Sequence, residues 1–231
     1  MRDPSYFDAY RGPTIATTAS RGGLLGKVFG LLAFSMAFTA VGAVVGLRLG
    51  PGLALPATFA MMILSFALSF ARGVRVLNLV LLYTLTFLAG IALGGIVTVY
   101  VAAGAGAVVA EAAGITAVMT LGLSAYGLTT GRDFSGLMPK LFFAMLALVA
   151  ASVIGIFFQA SLLQLLIGLG GAVIFSLYIV IEVQQARYAQ DTLPNAIVIA
   201  VGIYLSIFNL FLSLLRILGF AGGGGFGGRS R

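Results

Sequence analysis

A chain of 231 residues, 61% of them hydrophobic and only 8% charged, is too apolar for a soluble domain, and its 32 glycines suit helices packed in lipid. A net charge of +7 would suggest nucleic acid in a soluble protein, but here the basic residues punctuate apolar runs and report membrane topology, so no nucleic-acid partner is expected. The absence of cysteine and histidine excludes thiolate and imidazole metal sites, histidine-ligated haem, and Ser-His or Cys-His catalysis, rhomboid-like and zinc proteolysis included.

Residues 1–23 are polar and lack the early apolar core of a cleaved signal peptide, so they read as a short mobile cytoplasmic tail. A membrane-spanning helix needs about twenty apolar residues. Such segments fall at 25–47, 53–71, 77–101, 106–128, 141–159, 162–184 and 196–218, within a transmembrane domain of residues 24–219. These runs are continuously apolar and too long for the alternating strands of a β-barrel. The expected fold is therefore an all-α integral membrane protein, a seven-transmembrane-helix bundle with the lipid bilayer as its immediate partner. Residues 220–231 are glycine-rich, and backbone entropy marks them as a disordered tail. A retinal Schiff base on the last helix is excluded, because the only lysines are Lys27 and Lys140.

Arg2, Arg11, Arg21 and Lys27 accompany the start of the first helix. Arg72 and Arg75 follow the second, Arg132 and Lys140 lie between the fourth and fifth, and Arg187 follows the sixth. The opposite loops hold only Arg48, so the positive-inside rule places the N-terminus in the cytoplasm and the C-terminus outside, with Arg229 and Arg231 counting weakly against it. GxxxG spacings at Gly26/Gly30, Gly42/Gly46 and Gly90/Gly94 read as helix-packing positions. In the turn TTGRDFSG (129–136), Asp133 either caps the next helix or pairs with Arg132, and capping is preferred.

Apart from Lys27 at the start of the first, few ionisable groups remain inside the spans, and the candidates are Glu111, Glu182 and Arg216. A charge at the centre of a span costs about 2.5–3.5 kcal/mol, so each is a functional-site candidate. On the sixth helix Gly171, Phe175, Tyr178, Glu182 and Gln185 share one face. On the seventh Gly202, Ser206, Asn209, Ser213 and Arg216 do the same, which makes that helix central. Two readings stay open. The stripes are helix-packing glue, or Glu182 pairs with Arg72 or Arg75 to close a polar route, held by roughly 4 kcal/mol for charges ~4 Å apart at an effective dielectric near 20. Glu111, beside Gly114 on one face, either attracts cations or simply reaches the outer interface, and the interface reading is preferred.

Three stretches carry a family resemblance: GLTTGRDFSGLMPKLF (127–142), IFSLYIVIEVQQARY (174–188) and IVIAVGIYLSIFNLFLSLLRILG (197–219). In this order they resemble the bacterial branch of the Bax inhibitor-1 family, and the likeness covers all seven predicted helices. It implies a seven-helix fold with the last helix wrapped by the other six, in a bacterial inner membrane. It also implies a pH-sensitive calcium leak with no resident cofactor or enzymatic activity and, for some bacterial relatives, association with a membrane-bound AAA protease. The family gate pairs two aspartates, on the sixth and seventh helices, with an arginine of the second. These positions fall on Glu182, Ser206 and Arg72, with Asn209 and Glu111 as further pathway candidates and a transient calcium contact near Glu182. Ser206 departs from the pattern. Two nearby carboxylates can share a proton near neutral pH, whereas serine offers only a hydroxyl, so weaker pH dependence is expected.

Overall fold

The structure, a computed structural model, describes residues 18–70, 75–158 and 160–222. These residues form helices α1 (Thr18–Leu49), α2 (Ala54–Phe70), α3 (Arg75–Ala102), α4 (Gly106–Thr129), α5 (Met138–Phe158), α6 (Ser161–Tyr188) and α7 (Leu193–Ala221). Short 3-10 turns at Pro51–Leu53 and Ser135–Leu137 precede α2 and α5. All seven expected segments are helical, and most run a few residues beyond the expected limits. The α1 helix begins at Thr18, inside the stretch expected as tail, because nothing between Thr18 and Leu24 breaks a helix except the tolerated pair Gly22-Gly23. The remainder of both expected tails, residues 1–17 and 223–231, lies outside the described residues.

Among the described residues six helices are long and apolar enough to cross a membrane, and α2, with 17 described residues, is the exception. Pro51 and Gly52 divert its start into a 3-10 turn, which shortens the regular helix. At about 1.5 Å per residue, the described part of α2 covers most of a ~30 Å hydrocarbon core.

Glycines set the packing of α1 on α3. A methyl group added at Gly42 would strike the carbonyl oxygen of Phe87, and one at Gly46 that of Ile91. From the other side, Gly90 meets the Thr39 carbonyl and Gly94 the Ala43 carbonyl. The two GxxxG pairs interlock, so backbones touch where lipid supplies no hydrophobic drive and close contact is what holds helices together. Gly26 and Gly30 face open space and take no part in packing. Because 42 meets 87 and 46 meets 91, α1 and α3 run parallel.

Other contacts fix the remaining directions. Gly127 of α4 packs on Val180 of α6, near the C-terminal end of both helices. Lys27 pairs with Asp191 at 2.8 Å, and Thr39 meets Tyr204, so α1 and α7 also run parallel. Among the long helices α7 is the most buried, at 67% of its apolar window, against 6% for α5. Thr192 starts α7 as N-cap, its hydroxyl accepting from the Asn195 N–H, with Pro194 in the first turn.

Candidate functional site

The two stripes expected on α6 and α7 face each other. Gly171 sits against Ser213, and Gly168 against the Ser213 carbonyl and Ile217. About three turns further along, the Glu182 carboxylate lies on α7. Its Oε1 is 2.7 Å from where a Cβ on Gly202 would stand, and its Oε2 accepts a hydrogen bond from Ser206 Oγ at 2.8 Å. Gly202 and Ser206 are one helical turn apart. The missing side chain of the first makes room for the carboxylate, and the hydroxyl of the second holds it. Ser206 is buried and Glu182 partly so. Among the described residues Ser206 is the one donor to this carboxylate, which can accept several hydrogen bonds. Arg72 and the Arg75 side chain lie outside the described residues, so the expected ion pair is not part of the described geometry.

The rest of the α7 stripe turns inward on its own backbone. Asn209 Nδ2 donates to the Leu205 carbonyl at 2.8 Å, and Ser213 Oγ donates to the Asn209 carbonyl at 2.7 Å. Below Glu182, toward the helix ends, a cleft of about 900 Å³ opens between the α4–α5 turn and the α6–α7 loop. Arg132, Asp133, Gln185, Tyr188 and Asn195 line it, and it reaches Ile181, next to Glu182 on α6, and Val198 and Ile199, one turn before Gly202 on α7. Gln185, expected on the seam, is exposed in this cleft. Its neighbour Gln184 is the buried one, donating to the Arg132 carbonyl at 2.7 Å and accepting from the Phe134 N–H at 3.4 Å. Arg187 Nη1 adds a bond to the Thr130 carbonyl at 3.1 Å. The α4–α5 turn is thus latched onto the end of α6.

Asp133 serves that turn. Its Oδ1 accepts the Ser135 N–H at 2.8 Å just ahead of the 3-10 turn whose N-cap is Phe134, so it acts as a local turn brace beside the cap position. The Ser135 backbone N–H, and then its hydroxyl, hold the Asp133 carboxyl below its usual range.

Glu111 stands apart. Since α4 and α6 run parallel and Gly127 lies beside Val180, Glu111 is ~24 Å from Gly127 along α4, at the opposite end from Glu182. Its side chain is exposed on the outside of the bundle. The structure therefore places it away from the Glu182 contact.

One buried cluster has no counterpart in the sequence reading. Thr39 Oγ1 and Tyr204 Oη are 2.6 Å apart, and Thr39 also donates toward the Ser35 and Thr86 carbonyls. Tyr204 is 1% exposed and ties α7 to α1. A tyrosine two residues before Ser206, in the middle of a membrane-length helix, was the available signal, because its hydroxyl must find a partner in lipid.

Residues 21–223, nearly all of the described bundle, match the family described as Inhibitor of apoptosis-promoting Bax1. The chain belongs to the Bax inhibitor-1 family. It is 35% identical to a protein of Pseudomonas aeruginosa over 87% of this chain and 90% of that protein. It is 33% identical to the Modulator of FtsH protease YccA of Escherichia coli, over 86% of this chain and 90% of the relative. A Golgi anti-apoptotic protein of vaccinia virus is 32% identical, over 88% and 87% respectively. The match spans α1 to α7, and with it the Glu182–Ser206 contact.

Proposed function

We propose that this bundle is a calcium leak of the bacterial inner membrane, gated where α6 meets α7. The observation that carries the reading is the Glu182 carboxylate, seated over Gly202 and held by Ser206, next to a cleft that Arg132 and Asp133 help to line. A cation arriving through the cleft passes Asp133 on its wall before it reaches the Glu182 carboxylate. Passage requires that the Ser206 bond open and that α6 and α7 part along the small-residue seam. Arg72, from the α2–α3 connection, is the cation that neutralises Glu182 in the closed state. No enzymatic step and no resident cofactor enter this reading, and calcium contacts Glu182 only in transit.

Seven crossings, with α7 at the centre, belong to the same reading. The parallel packing of α1 on α3 supports them, since the chain between Leu49 and Arg75 must return across the bundle through α2. So does the parallel run of α1 and α7, which leaves the chain's two ends on opposite faces, with the Lys27 and Arg187 face cytoplasmic.

Purified protein in calcium-dye-loaded liposomes tests the activity itself. Dye signal above that of protein-free liposomes is expected, and its absence with folded protein would remove the leak reading. A second reading rests on the Escherichia coli relative, whose name makes it a modulator of the FtsH protease. In that reading the chain is a membrane partner of an AAA protease and the N-terminal tail is the handle. Deleting residues 2–20 then abolishes co-purification with the protease, while an unchanged yield argues against the tail.

A further inference from the structure

We infer that α1, α3, α4 and α7 form a binding groove for one acyl chain of a bilayer phospholipid, on the side of α7 turned away from Glu182. The groove holds about 510 Å³, within the ~300–1,000 Å³ of small-molecule sites. Met36 of α1, Val97 of α3, Val109 and Leu121 of α4, and Tyr204 and Phe211 of α7 outline it. It exists because α4 packs mainly on α6 and α7 and touches α3 only slightly, leaving it splayed from α1. The floor is buried, with Tyr204 at 1% and Phe211 at 9% exposure, while the walls open sideways, with Leu121 at 73% and Met36 at 40%.

Three observations select the occupant. First, the wall is almost wholly hydrocarbon, and two of its three threonine hydroxyls are spent elsewhere. Thr39 Oγ1 is bonded to Tyr204, and Thr116 Oγ1 donates to the Ala112 carbonyl at 2.6 Å, while Thr120 Oγ1 is buried with no partner among the described residues. One buried hydroxyl on a hydrocarbon wall is too little to hold water or a charged head group. Second, the groove begins near a membrane face, at Val109 close to the Gly106 start of α4, and ends at Leu121. That is ~18 Å along the helix, close to the half-thickness of a ~30 Å hydrocarbon core. Third, it opens laterally into the lipid phase, where the neighbouring molecule is a phospholipid whose head group stays at the interface. A chain entering there runs inward over Val97 and Phe211 and ends against Tyr204. It backs α7 on the face opposite Gly202 and Ser206.

Native mass spectrometry of the protein released from detergent reads retained lipid directly. One phospholipid per chain is expected for wild type and for the control Val149→Phe on the exposed face of α5. None is expected for Ala117→Phe, whose ring fills the groove. Equal retention by Ala117→Phe, no retained lipid in wild type, or a dimer that closes the groove would overturn the proposal. Phosphatidylcholine carrying a diazirine on its acyl chain, photolysed with the unmodified protein, gives a reading free of any folding defect. Adducts concentrated on the α4 and α7 peptides support the groove, and adducts spread evenly over the lipid-facing helices contradict it.

Discussion

Glu182 and Ser206 are held at 2.8 Å, and the chemistry of the site turns on what the second position offers. Serine donates one hydrogen bond and does not titrate. Aspartate there would put a second carboxyl beside Glu182, and two such groups share a proton. Ser206→Asp is therefore expected to steepen the dependence of calcium flux on pH between about 5 and 8, a window in which this chain has no histidine to titrate. An unchanged profile in the liposome assay would count against the paired-carboxyl account. Asp133 does not supply such a dependence. Its folded pKa lies below the ordinary 3.8, so the stabilisation it adds is present above that value and is lost as pH falls through the folded pKa. Protection of the Ser135 amide from hydrogen exchange should accordingly be flat from about pH 5 to 8 and fall only in stronger acid, and fall at every pH in Asp133→Ala. Tyr204→Phe removes one buried hydroxyl while leaving Thr39 its backbone acceptors, and a loss of about 1 kcal/mol in unfolding free energy is expected from denaturant titration in detergent.

At the scale of helices, the interlocked glycines of α1 and α3 separate packing from mere sequence spacing. Gly42→Leu or Gly90→Leu forces a side chain into the facing backbone, and destabilisation by about 1–3 kcal/mol or outright misfolding is expected, whereas Gly26→Ala meets nothing and should melt like wild type. The α6–α7 seam offers a reversible test. A Cβ on Gly171 would lie 3.3 Å from the Ser213 Cβ, near the ~3.5–4.5 Å that disulfides span, and the native chain has no cysteine to interfere. Gly171→Cys with Ser213→Cys is expected to lose calcium flux when oxidised and recover it on reduction, and flux indifferent to the lock would place the route elsewhere. The two facing stripes were legible in sequence because the helical period fixes which residues share a face. That Gly42/Gly46 and Gly90/Gly94 would find one another while Gly26/Gly30 stayed open was not, since spacing says nothing of which helix lies opposite. Gln184 and Gln185 show the same limit: adjacent and identical, they differ only in which one the α4–α5 turn covers.

For the molecule as a whole, hydropathy gave the class and the positive loops gave a consistent end, where Lys27, Asp191, Arg187 and the α4–α5 turn gather. What hydropathy missed is long-range pairing. Thr39 and Tyr204 are 165 residues apart, and their bond depends on α1 and α7 being neighbours, which no local pattern encodes. The same arrangement gives α7 two unlike faces, a polar one on α6 holding Glu182 and an apolar one toward the lateral groove. The account rests on Glu182 as the gating group. Calcium influx into dye-loaded liposomes, measured from about pH 5 to 8 for wild type and Glu182→Gln side by side, tests this most directly. The glutamine keeps an acceptor for Ser206 and removes the charge, so a several-fold change in influx together with a flatter pH profile is expected. Identical influx at every pH, with both proteins folded, would contradict it and leave Glu182 a packing residue.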